Sequence, residues 1–146
     1  MFAKQNGLDD VFMLDFRGNI AESTNSNIFL VIGNELVTPT LKNGGVNGAM
    51  RRVVIQEAKR LGWTCKLSDV KLKDVLNADE CFLTNATSGV RWVSGFDKKR
   101  FFKRASSKLI AEINRQYELY RLVECIEMRP SLLERIVFFI KWKDCI

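Results

Sequence analysis

The order Val46-Asn47-Gly48-Ala49-Met50-Arg51 carries a glycine-containing loop straight into a segment with helical spacing. The first N–H groups of a helix have no intrahelical acceptor, and the helix dipole favours negative charge beside them. Ala49 and Met50 can therefore present an anion site. An ordinary loop-to-helix junction capped by Asn47 fits the same residues. The second candidate is Glu22-Ser23-Thr24-Asn25-Ser26-Asn27-Ile28-Phe29, where a carboxylate and several hydrogen-bonding side chains stand between two apolar stretches. Asn and Ser at this density also make a plain turn by bonding their own backbone. The 146 residues include no histidine, which removes the usual base beside a nucleophilic serine or cysteine and disfavours triad hydrolases. Cys65, Cys81, Cys125 and Cys145 are far apart and form no CxxC pair, so a zinc site is not expected. Acid–base chemistry must come from carboxylates, lysine, tyrosine or a cofactor.

The elements around these candidates mix strands and helices. Asp10 to Phe16 reads as a buried strand, and Arg17-Gly18-Asn19 as the turn that reverses it. Ile28 to Ile32 is the next strand, Gly33-Asn34 a two-residue hairpin turn, and Glu35 to Thr38 the returning strand, which Pro39 ends. Met50, Val53, Val54, Ala58 and Leu61 form a helical stripe over Ala49 to Leu61, with Gly62 as its stop. Cys65 to Leu67 is expected as a short strand, and Ser68 or Asp69 as the residue that precedes a helical turn through Leu72, Val75 and Leu76. Glu80 to Leu83 and Val90 to Val93 read as strands around a polar loop, Thr84 to Gly89. Phe101, Phe102, Ala105, Leu109, Ile113 and Tyr117 recur at helical spacing from Asp97 to about Leu122. Pro130 opens a last helix with Leu132, Leu133, Ile136, Val137 and Ile140 on one side. The expected class is α+β, or mixed α/β, with one main core.

Composition bounds the partners. Hydrophobic residues make up 47% of the chain and charged residues 27%, ordinary values for a globular domain. The net charge of +6 permits attraction to phosphates without choosing among nucleic acid, membrane and small ligand. Lys98, Lys99, Arg100, Lys103 and Arg104 form the one dense basic cluster, interleaved with Phe96, Phe101 and Phe102. Such a run is ordinarily the solvated face of a helix, so nucleic acid is not the expected partner. Asp9 and Asp10 stand where a signal peptide would need an apolar core, and the longest apolar run, Ile136 to Ile140, is far short of a membrane span. The expectation is a cytoplasmic protein with reduced thiols.

One ordered series of motifs is more specific than any of its members. Gly7-Leu8-Asp9-Asp10 is followed by Leu14-Asp15-Phe16-Arg17-Gly18-Asn19-Ile20-Ala21-Glu22, then Ser26-Asn27-Ile28-Phe29, Thr38-Pro39, Gly48-Ala49-Met50-Arg51 and Ala78-Asp79-Glu80-Cys81-Phe82-Leu83-Thr84-Asn85. From about Lys4 to Asn114 this resembles the second half of the class IV aminotransferases, pyridoxal-phosphate enzymes of fold type IV that include branched-chain and D-amino-acid transaminases and aminodeoxychorismate lyase. The resemblance implies a pseudo-barrel-like sheet with packing helices, and pyridoxal 5'-phosphate as cofactor. Glu22 would then sit against the pyridine nitrogen, and Ala49 and Met50 would offer backbone N–H groups to the phosphate. Arg51 matches the family arginine, with an electrostatic role in the site; a surface ion pair is its plainer role. Thr84-Asn85-Ala86 takes the place of a later phosphate-facing loop, where Asn85 can donate a hydrogen bond. Transaminases of the family put a hydroxyl residue where Ala86 stands, so Asn85-Ala86 favours the lyase branch.

The resemblance also implies an absence. The family's catalytic lysine lies farther before the glutamate than the twenty-one residues that precede Glu22 here, and Lys4 is too close to be it. No catalytic residue is therefore expected in this chain, and the small N-terminal domain of relatives is expected to be missing. Residues 1–115 are expected to be the cofactor-binding domain and 116–146 a helical tail outside the resemblance. The apolar side of the tail, Leu133, Ile136, Val137 and Ile140, needs cover from the domain itself or from a dimer partner. The expected function is elimination of pyruvate from aminodeoxychorismate to give 4-aminobenzoate. Transamination of a branched-chain or D-amino acid is the alternative within the family, and a catalytically inactive interaction domain the alternative outside it.

Overall fold

The computed structural model describes residues 2–102 and 106–115. After a single helical turn, α1 (Phe2–Gln5), the chain forms β1 (Phe12–Leu14) and β2 (Ile20–Ser23), an antiparallel ladder of their own. β1 is shorter than the expected strand from Asp10 to Phe16, and it is not buried. Met13 and Leu14 are about half exposed, at 50% and 47%. A two-stranded ladder can cover only one face of its strands, and here that face holds Phe12, whose ring lies 5.2 Å from that of Phe96.

The main sheet has five strands in the order β5-β4-β3-β6-β7. β3 (Asn27–Ile32) lies at its centre, between β4 (Glu35–Pro39) and β6 (Glu80–Asn85), both antiparallel to it. Its run Ile28-Phe29-Leu30-Val31 is continuously apolar because both faces are buried. Ile28 and Leu30 pack with Val37, Cys81, Leu83, Val70 and Val75 on one side. Phe29 and Val31 pack with Leu36, Phe82, Val54 and Ala58 on the other, and there the Phe29 and Phe82 rings stack at 5.2 Å. Gly33 takes φ 58° in the two-residue turn between β3 and β4, a conformation that glycine adopts without the Cβ clash.

A 3₁₀ turn (Leu41–Asn43) and the loop after it lead into α2 (Ala49–Arg60), which crosses the sheet so that β5 (Thr64–Ser68) runs parallel to β4. α2 matches the expected helix, with Leu61 at its end and Gly62 at φ 81°. α3 (Leu72–Asn77) is the expected helical turn, and the residue directly before it is Lys71, not Ser68 or Asp69. Ser68 is still paired with Pro39, and the Val70 carbonyl is taken by the Ile20 N–H at 2.7 Å, so the chain stays extended to Lys71. There the Asp74 carboxylate accepts the Lys71 N–H at 2.8 Å.

β7 (Gly89–Trp92) completes the sheet, and β8 (Gly95–Phe96) and β9 (Lys99–Arg100) make a small hairpin. This hairpin corrects the expectation of a helix from Asp97 onward. Asp97 takes φ 52° in the turn, and the Phe101 N–H is bonded to the Ser94 carbonyl at 3.0 Å. Phe101 is buried as the chain leaves the hairpin while Phe102 is 65% exposed, so the two do not share a helical face. The basic residues Lys98, Lys99 and Arg100 lie on this hairpin, not on a helix; Lys103 and Arg104 fall outside the described residues. Helix α4 spans 106–115 among the described residues, with Leu109, Ile110 and Ile113 buried against α2 and the sheet. Its first turn meets the buried carboxylate of Glu80, which accepts from both the N–H and the hydroxyl of Ser106. A carboxylate at a helix N-terminus satisfies donors that the helix cannot. The expected tail helix after Pro130 and its apolar side lie outside the described residues. No described helix is long and apolar enough to cross a membrane.

Thr84 is 1% exposed, and its hydroxyl has no hydrogen-bond partner among the described residues. A buried, unpaired hydroxyl is a net cost of about 1 kcal/mol or more. Thr84→Val is expected to keep or raise stability by up to about 1 kcal/mol in urea unfolding. A clear loss of stability would show that the hydroxyl is bonded to internal water.

Candidate functional site

The expected site residues gather at one end of the main sheet, around β2, the start of β3, the end of β6 and the first turn of α2. Two aspartates fix the strand that carries Glu22. At the β1–β2 turn the Asp15 carboxylate accepts from the N–H groups of Arg17 and Asn19, each at 2.8 Å, and from the Asn19 amide at 3.0 Å. Gly18 completes the turn at φ 76°. At the other end of β2 the Asp10 carboxylate accepts from the Thr24 hydroxyl at 2.6 Å and from the N–H groups of Val11 and Thr24. Burial pushes the Asp10 carboxyl up, but hydrogen bonds from Thr24, Val11 and Ser23 outweigh it and hold the group below the ordinary aspartate value. Burial acts in the same sense on Asp15, where the bonds from Asn19 and Arg17 again win.

Glu22 is half-buried. Its Oε2 accepts the Val46 N–H at 2.9 Å and, at the long distance of 3.5 Å, the Asn27 amide. Asn27 also donates to the Val46 carbonyl at 2.7 Å. The loop before α2 can come this close because two of its residues lack side chains. A Cβ on Gly45 would stand 2.7 Å from the Ala21 carbonyl oxygen, and one on Gly48 would collide with Oδ1 of Asn27.

Gly48, not Asn47, stands at the cap position before α2, and among the described residues no side chain is hydrogen-bonded as a cap there. Asn27 occupies the space in which a capping side chain would stand. Asn47 instead accepts from the Arg51 guanidinium at 3.4 Å, and its carbonyl accepts from that of Arg52 at 2.8 Å. The first intrahelical donor is the Arg52 N–H, bonded to the Gly48 carbonyl at 3.2 Å. The N–H groups of Ala49, Met50 and Arg51 precede it and have no acceptor among the described residues.

Arg51 is buried, which excludes the surface ion pair. Its guanidinium donates to the Pro39 carbonyl at 3.0 Å and to Asn47, and burial lowers its pKa. Among the described residues no carboxylate lies within ion-pair distance of it. Asn85 ends β6 and builds the turn to β7, accepting from Thr87 N–H at 3.0 Å and Ser88 N–H at 2.6 Å. Its amide donates to the Ser26 hydroxyl at 3.0 Å, which leaves one amide hydrogen. Asn27, Ser26 and Asp10 stand in the sequence motifs without a role of their own, and Gly45 stands in none. Their roles depend on closeness between segments far apart in the chain.

The profile of amino-transferase class IV matches residues 1–96. The chain belongs to this family. A probable branched-chain-amino-acid aminotransferase of Rickettsia felis is 38% identical over 95 residues, which are 65% of this chain and 32% of the relative. An aminodeoxychorismate lyase of Vibrio harveyi is 36% identical over 86 residues, 59% of this chain and 32% of the relative. Among solved structures, an aminotransferase from Brucella abortus bound to the cofactor PLP superposes with a TM-score of 0.74 at 30% identity, covering 80% of this chain and 41% of that one. The chain thus spans about a third to two-fifths of the length of these relatives. The class IV aminotransferases are pyridoxal 5'-phosphate enzymes, and their matched region includes Glu22, Ala49, Met50, Arg51 and Asn85.

Asp10 ties the bend after β2 to the start of β1, so Asp10→Ala is expected to lower the urea midpoint at neutral pH. Its folded pKa is depressed, so the contribution is present above the ordinary aspartate value of 3.8 and is lost as pH falls through the folded value. The wild-type and variant midpoints should therefore converge as pH is lowered below about 4.

Proposed function

We propose that this chain is the cofactor-cradling part of a pyridoxal-phosphate enzyme of the aminodeoxychorismate lyase type. The observation that carries the reading is the pairing of Glu22, with Oε1 left open, and the uncapped first turn of α2, joined through Val46 and Asn27. The donor set suits the cofactor: a carboxylate for a protonated ring nitrogen, and three N–H groups at a helix start for a phosphate. Bound there, pyridoxal 5'-phosphate supplies the electron sink for carbanion chemistry at a substrate Cα.

Glu22 accepts the ring N–H and keeps that proton in place. Ala49 and Met50 orient the phosphate, and the buried charge of Arg51 raises the local potential for an anion. Asn85 would offer its remaining amide hydrogen to the same phosphate. No lysine of this chain is assigned the covalent attachment to the cofactor. Asn85-Ala86, without a hydroxyl at the second position, favours elimination of pyruvate from aminodeoxychorismate to give 4-aminobenzoate. Transamination of a branched-chain or D-amino acid is the second reading, favoured by the likeness to the Rickettsia felis relative. The reading further places the protein in the cytoplasm, acting on a small amino-acid or aminodeoxychorismate-like substrate, with a homodimer as its assembly.

Pyridoxamine 5'-phosphate has no aldehyde to react with surface lysines, so its binding tests the cradle directly. It should bind the purified chain, with inorganic phosphate competing, and Glu22→Gln should weaken it roughly tenfold or more, the effect of losing one charge-assisted bond. Absence of binding, or equal binding by Glu22→Gln, would overturn the assignment. After incubation with pyridoxal 5'-phosphate, borohydride is expected to fix no cofactor at a single site. Stoichiometric fixation at one lysine would show that the chain does carry the attachment residue.

A further inference from the structure

Asn27 stands where the two anchors of the proposed site meet. Its amide Nδ2 donates to the Val46 carbonyl at 2.7 Å and faces Glu22 Oε2 at 3.5 Å, while its Oδ1 fills the space beside the Cα of Gly48. The residue is buried at the first position of β3, where the ladder pairs it with Thr84 of β6. That pairing with β6 ties Asn27 to the sheet and not to the loop. Val46 and Gly48 flank Asn47, and both touch Asn27; the helix start follows at Ala49. The Val46 N–H in turn holds Glu22 Oε2 at 2.9 Å.

We propose that Asn27 is a positioning residue that sets the spacing between the carboxylate of Glu22 and the open N–H groups of α2, and so makes the pair selective for one two-part ligand. The inference rests on the proposed cofactor reading and adds to it. Because Val46 and Asn27 both address Oε2, Oε1 is the oxygen presented to a ring nitrogen. Because the same amide grips the Val46 carbonyl, the loop cannot slide without pulling on Glu22. A ligand that carries a basic ring nitrogen and a phosphate at the matching separation gains from both anchors at once, as any linked pair of binding groups does. A phosphate alone needs only the helix start.

Asn27→Leu keeps the approximate volume and branching of the side chain and removes the donor facing the Val46 carbonyl and Glu22 without adding a charge beside the helix start. Asn27→Ala removes the side chain. Both are measured against pyridoxamine 5'-phosphate and against inorganic phosphate, with melting of the ligand-free proteins in parallel. The expected result is more than tenfold weaker binding of pyridoxamine 5'-phosphate with phosphate affinity within about threefold of wild type, and a lower pH midpoint for the ring-nitrogen titration in the near-ultraviolet spectrum of the bound ligand. Equal weakening of both ligands would overturn the proposal and make Asn27 a structural residue only, as would unchanged binding of both. If Asn27→Ala fails to fold, Asn27→Leu decides. Glu22→Gln separates the two levels: no effect of Glu22→Gln sinks the cofactor reading itself, whereas an effect of Glu22→Gln without one of Asn27→Leu sinks only the positioning role.

Discussion

Residues 44–48 run against β2 and β3 with no room for a side chain at Gly45 or Gly48, and the placement of both polar anchors follows from that closeness. Val46 reaches Glu22 with its N–H and Asn27 with its carbonyl, so one peptide unit on each side of a single residue joins strand, strand and loop. A Cβ at Gly45 would have to displace backbone, not a flexible side-chain tip. Close-packed contacts of this kind have little slack. The helix start stays uncapped for the same reason, since the space of a cap belongs to Asn27.

The polar groups of this end of the molecule are mostly occupied by one another. Asp10 and Asp15 stabilise the turns at the two ends of β2, and Asn85 stabilises the turn after β6. Among the described residues the groups left open here include one oxygen of Glu22, one hydrogen of Asn85, the first N–H groups of α2 and the buried Thr84 hydroxyl. Arg51 lies beside them as a buried cation held by neutral oxygens. Burial of charge without a counter-charge is costly, and such costs concentrate at sites that bind something of opposite sign.

Much of this is legible in the sequence where a local pattern decides it. The spacing of Met50, Val54 and Ala58 before Gly62 marks α2, and Gly33-Asn34 marks its hairpin, because helix period and turn chemistry act over a few residues. The ordered motifs likewise locate Glu22, Ala49 and Met50, which the fold brings to one end of the sheet. The hairpin of β8 and β9 is not legible, since Phe101 and Phe102 imitate a helical stripe while only Phe101 turns inward. Asn47 reads as the cap because the position of Asn27, twenty residues earlier in the chain, cannot be seen from the loop. Arg51 reads as either a site residue or a surface ion, and only its burial against the Pro39 carbonyl removes the second.

The central strand has consequences for the order in which the chain can assemble. β3 meets β4 across a two-residue turn, but its other neighbour, β6, pairs Asn27 with Thr84 only after α2, β5 and α3 have been made. Until then one edge of the most apolar strand in the described fold has no partner. Pairings so distant in sequence form slowly, and an unpaired apolar edge invites association with other chains during synthesis. The early β3–β4 hairpin and the late arrival of β6 make nascent chains that end between residues 40 and 80 the ones most dependent on protection from their neighbours.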